Sequence, residues 1–131
     1  MTQSRVTSTS PGEVFARALA AKDADGLRRV LQPELDFRAM TPGKFWEASD
    51  ADTVIDDIVF GRWFEPTDEI RELIALETDT VGHRHRVGYR LRVKNADGEH
   101  VVEQQAYYEL QDERISWLRI MCAGYMPVAK P

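Results

Sequence analysis

The chain reads as a single α+β domain, with amphipathic helices first and then a long antiparallel sheet that curls around them to leave a pocket. Three observations predict this. Apolar residues recur at helical spacing up to about residue 64, turning residues punctuate the chain, and everything after Thr67 alternates at period two. A length of 131 residues fits one domain with a real core, and 43% hydrophobic with 30% charged residues is an ordinary globular balance.

Ser10-Pro11-Gly12-Glu13 has the form of a capping box, with proline at the first helical position. Val14, Phe15, Ala18, Leu19 and Ala21 then form one apolar stripe. Asp23 or Asp25 opens a second helix that turns Leu27, Val30 and Leu31 inward and stops before Pro33. Leu35, Phe37 and Ala39 alternate with Asp36 and Arg38 as a short strand. Thr41-Pro42-Gly43 makes a turn, and residues 44–49 read as a loop carrying Phe45 and Trp46. A third helix from about Asp50 places Val54, Ile55, Ile58 and Val59 on one face and ends near Trp63 and Phe64.

Beyond it, Ile70, Ile74 and Leu76 share the face of one strand. Residues 84–110 form a long hairpin around Asn95-Ala96-Asp97-Gly98. Pairing Lys94 with Glu99 sets Arg90 opposite Glu103 and Arg84 opposite Glu109. The other face then pairs Leu91 with Val102, Tyr89 with Gln104 and His85 with Tyr108. A slip of one residue would turn the arginines inward, so this register is the one expected. Asp112-Glu113-Arg114 turns the chain into a last strand from Ile115 to about Ala123. Residues 1–9 and 127–131 are expected to be tails around a domain spanning 10–126.

The charge balance bounds the partners. A formal net charge of −5 disfavours nucleic acid and anionic membrane, which both call for a basic patch. No apolar run approaches the ~20 residues that span a bilayer. With one cysteine, Cys122, and no apolar leader in the first ten residues, the expected location is the cytoplasm.

Four inward polar residues are the candidate chemistry. His85 is a general acid or base at neutral pH, and Tyr108 and Tyr89 could polarise a substrate oxygen. Gln104 completes the set. The blander alternative makes His85 a hydrogen-bonded strand-end histidine and Tyr89–Gln104 an internal bond that supports the sheet. Trp46, Trp63, Phe37 and their aromatic neighbours could line a site for a flat apolar ligand, or be ordinary core. His83 and His85, two apart, would share the apolar face, but a third metal ligand is missing, so no metal or cofactor is expected. The arginine row faces glutamates and reads as a charge-laced outer sheet face, a candidate homodimer surface.

The run from Phe15 to Leu27, with small residues, an acid and then a second helix, resembles the nuclear transport factor 2-like superfamily and its SnoaL-like members. So does Tyr107 to Ile115 followed by Trp117-Leu118-Arg119. The resemblance implies a cone, a cystatin-like roll with an apolar pocket at its wide end, in a family of isomerases, dehydratases, epoxide hydrolases, cyclases and non-catalytic binding domains, many of them dimers. The acids of the catalytic relatives are absent: Met121 to Tyr125 lacks the cyclase aspartate, and Met40-Thr41-Pro42-Gly43 stands where isomerases carry theirs. Two readings stay open, proton-transfer chemistry on a small oxygen-bearing molecule or a binding domain without chemistry.

Overall fold

The computed structural model describes residues 10–128, so both expected tails fall almost wholly outside it. Helix α1, Pro11–Ala20, starts where the Ser10 hydroxyl accepts the Glu13 N–H. Glu13 turns to Arg17, at 2.8 Å, rather than back to Ser10, which leaves the capping box half made. Phe15, Ala16, Ala18 and Leu19 are buried, while Ala21 lies exposed at the C-cap. Helix α2, Ala24–Val30, takes Asp23 as its cap, with the carboxylate accepting from the Gly26 N–H at 2.9 Å.

Strands β1 (Leu31–Thr41) and β2 (Lys44–Asp50) form a hairpin. The expected 44–49 loop is therefore a strand. Phe45 faces outward and breaks the apolar alternation, while Trp46 and Ala48 point in to the core. Pro33, with no N–H to donate, falls within the break of the β1–β6 ladder between Leu31 and Asp36, and the β1–β2 ladder breaks just after it, between Glu34 and Phe37. Helix α3, Thr53–Trp63, is wound wide, and its last bond runs from the Phe64 N–H to the Val59 carbonyl at 2.7 Å. It buries Val54, Ile55, Ile58, Val59 and Trp63.

The remaining strands are β3 (Glu69–Val81), β4 (Arg84–Asn95), β5 (Gly98–Gln111) and β6 (Arg114–Pro127). They complete a curved, open six-stranded sheet in the order β2-β1-β6-β5-β4-β3. The sheet is mixed, because β1 and β6 run parallel. That pair joins the two ends of the domain, and local patterning carries no information about it. Two breaks in the β3–β4 register turn Leu73 to the core in place of the expected Ile74. The long hairpin has the register that its charges dictate, with Tyr89 opposite Gln104, His85 opposite Tyr108, and Arg84 bonded to Glu109 at 2.7 Å. β6 runs through Pro127, four residues beyond the expected Ala123.

Candidate functional site

The inward face of β5 carries His100, Val102, Gln104, Ala106 and Tyr108, all buried. Where this face meets the end of α3, the β1–β2 hairpin and β6, a cavity of about 200 Å³ opens. Trp63, Phe64, Val102, Gln104, Cys122 and Tyr125 line its wall, with Trp46 and Arg62 beside them. Gly124, also in the lining, has φ +89, and a Cβ there would approach the Pro42 ring to 2.9 Å, so glycine lets β6 close against the hairpin turn.

Hydrogen bonding organises this wall. The Tyr89 hydroxyl donates to the Gln104 side-chain oxygen at 2.6 Å, and Tyr125 donates to the Trp63 carbonyl at 2.7 Å. Burial pushes both phenols above their ordinary pKa, and at Tyr125 the Asp68 carboxylate adds to the effect of burial. Trp46 donates to the Thr41 hydroxyl at 2.9 Å and meets Trp63 edge-on, 6.1 Å between rings. Two donors remain, the Gln104 side-chain NH2 and the Trp63 indole N–H, both sealed from solvent with no protein partner.

Gln104, Trp46 and Trp63, three of the residues singled out in the sequence, thus come together in one lining. Tyr89 stands behind Gln104. Phe37 packs on Trp63 at 6.2 Å, and it borders a separate, wider groove between β1 and β2 edged by Glu34, Asp36, Arg38 and Glu47. His85 and Tyr108 lie elsewhere. They stack on each other at 5.1 Å, and the Tyr108 hydroxyl accepts the Gly12 N–H at 2.9 Å, holding the start of α1. Burial raises the Tyr108 pKa against that bond. His83 does not share the apolar face: it lies in the β3–β4 turn, its side chain 78% exposed and 3.6 Å from Glu109. Among the described residues, no three His, Cys, Asp or Glu side chains converge as metal ligands, and no helix is long and apolar enough to cross a membrane.

Sequence reasoning missed Tyr125 as a wall residue and His100 as an inward one. His100 is buried against Tyr125 at 5.6 Å with its Nδ1 unpartnered. Its even position on β5, in phase with Val102 and Gln104, was the available signal.

No protein-family model matches the chain, and no curated protein matches it. Solved structures do. A candidate isomerase from Bacillus subtilis aligns with TM-score 0.66 and 11% identity over 82% of this chain and 80% of its own. A candidate polyketide cyclase from Pseudomonas putida gives 0.64 and 12% over 86% and 91%. An LEH-like epoxide hydrolase of M. tuberculosis gives 0.60 and 15% over 86% and 79%. At these identities the likeness is one of fold alone: helices packed on a curved, open, mixed six-stranded sheet, consistent with the cone that the sequence resemblance implies.

Proposed function

We propose that the protein binds a small, largely apolar molecule in the cavity between α3, β5 and β6. The observation that carries this reading is the cavity itself, which has about 200 Å³ of room and a buried aromatic and aliphatic wall. An apolar cavity of ~150 Å³ holds benzene, and drug-sized sites start near ~300 Å³, so the volume suits one ring with a short substituent. The ionisable side chains in the lining are Arg62, Cys122 and Tyr125, a set that recognises better than it transfers protons. The partner is the molecule itself, with no cofactor. On the outer face, Met40, Phe45 and Met121 are exposed in an otherwise charge-paired sheet, which supports a second copy of the chain packing there.

Proton-transfer chemistry is the second reading. The stacked His85–Tyr108 pair and the similarity to proteins named as an isomerase, a cyclase and an epoxide hydrolase favour it. In it His85 shuttles the proton while Tyr89 and Tyr108 stabilise an oxyanion. Against it, both phenols are engaged within the protein and harder to ionise than free tyrosine.

Titration of 15N-labelled protein with ethylbenzene and acetophenone tests the binding reading. Saturable shifts at cavity residues are expected, retained in His85→Ala and lost in Val102→Phe, which fills the cavity. Binding abolished by His85→Ala and kept in Val102→Phe would reverse the assignment.

A further inference from the structure

The winding of α3 decides which of its side chains reach the cavity. Over its 11 residues the backbone bonds run back five residues rather than four, as from the Phe64 N–H to the Val59 carbonyl. Wide winding is rare, and it occurs mostly as single turns, often at functional sites. The residues of α3 are spaced for it. Val54-Ile55, Ile58-Val59 and Trp63-Phe64 are buried pairs, with Asp56-Asp57 and Gly61-Arg62 exposed between them, so the pattern repeats after four residues and then after five. An α-helix turns by about 100° per residue, which would carry Trp63 two and a half turns from Val54, to the opposite face. A turn of roughly four and a half residues returns it to the face of Val54, Ile58 and Val59. There it meets Phe37 at 6.2 Å and Trp46 at 6.1 Å and closes one side of the cavity.

Gly61 is the residue that this winding requires. A Cβ there would come within 2.6 Å of the Asp56 carbonyl oxygen, five residues back. That oxygen belongs to the backbone and cannot swing aside as the end of a flexible side chain would. Gly61 is exposed, and among the described residues no other element comes within 4 Å of where the Cβ would stand. Nothing outside α3 therefore calls for glycine at this position. Gly61 is also one residue more than an α-helix needs. Without it, eight steps of about 100° bring Trp63 within about a quarter-turn of Val54 in a plain α-helix.

We infer that Gly61 is a positioning residue for the cavity, which holds α3 in the wide winding and acts through Trp63. Its effect on a ligand rests on the binding reading above, while the winding is read without one. In Gly61→Ala the added Cβ drives α3 toward α-winding and turns Trp63 out of the wall. Deleting Gly61 gives an α-wound helix that keeps Trp63 in place.

Both variants are examined by NMR on the full chain. The coupling across the hydrogen bond between the Phe64 nitrogen and the Val59 carbonyl carbon reports the winding. Overhauser contacts of the Trp63 ring with Trp46 and Phe37 report its position. Gly61→Ala is expected to lose the coupling and the contacts, and to bind ethylbenzene about tenfold more weakly as one aromatic wall is withdrawn. Its melting temperature is expected to fall, whereas the same exchange inside an ordinary helix raises it by about 3–5 °C. The deletion is expected to lose the coupling, keep the contacts and bind ethylbenzene nearly as the wild-type chain does. A Gly61→Ala chain that is stabilised and keeps both coupling and contacts would overturn the inference. If Gly61→Ala does not fold, the deletion decides: Trp63 held against Trp46 supports the inference, and Trp63 turned away overturns it. Failure of the wild-type chain to bind ethylbenzene would overturn the binding reading alone, since coupling and contacts still decide the role of Gly61.

Discussion

Removing the Tyr89 hydroxyl isolates the energetics of the wall. In Tyr89→Phe the ring stays, 2% exposed and stacked 6.4 Å from Phe15, but the Gln104 oxygen loses a donor at 2.6 Å. Both ends of a buried amide are then unmatched. Leaving such a group unpaired costs about 1–3 kcal/mol. At this chain length each kcal/mol moves the melting temperature by roughly 3–5 °C, so a fall of about 6–10 °C is expected for a mid-range loss. Gln104→Leu alone strands the phenol and carries a similar cost. The double variant strands nothing, because two apolar groups of similar shape replace the whole pair. It is therefore expected to be more stable than either single variant, with a coupling of about 1–3 kcal/mol in a double-mutant cycle by urea unfolding. Costs that simply add would refute the reasoning, since they would mean that the two side chains do not depend on each other.

Tyr89, Tyr108 and Tyr125 all have raised pKa values in the folded chain, chiefly through burial. Their contribution to stability is complete below the unfolded value near ~10 and is lost as pH rises through the folded values, because the unfolded chain releases those protons first. Urea midpoints are expected to fall above about pH 10, and less steeply in Tyr89→Phe; a flat profile would contradict this. Phe45, 75% exposed beside Met40 and Met121, is the centre of the proposed contact between copies. Phe45→Asp is expected to convert a dimer to a monomer in sedimentation velocity, and a wild-type chain that sediments as a monomer would refute the contact.

Legibility in the sequence followed the range of the interaction. The register of β4 on β5 could be read because one wrong step buries arginines, a penalty visible in the two strands alone. Helix starts at Ser10 and Asp23 were readable because a cap involves three or four consecutive residues. The parallel β1–β6 pair was not, since each strand fits many neighbours and only the closed core selects one. Bulges behave likewise: Leu73 displaces Ile74 through two register breaks that the period-two pattern of the strand does not reveal. At the site, alternation brought Gln104 and Tyr89 together correctly. It could not separate them from His85 and Tyr108, which share the same inward face but lie at the α1 end of the hairpin. The cavity also depends on Trp63, Cys122 and Tyr125, drawn from two other elements.

The central claim is that this fold holds a small, largely apolar molecule between α3 and the sheet. The three tryptophan indole N–H signals test it most directly, because each reports a different environment. Trp63 lines the cavity, Trp46 donates to Thr41, and Trp117 lies outside between Arg84 and Arg119. Titration with ethylbenzene and with acetophenone is expected to move the Trp63 indole signal saturably and leave that of Trp117 in place. A Trp63 signal that stays fixed at saturating concentrations of both would contradict the account.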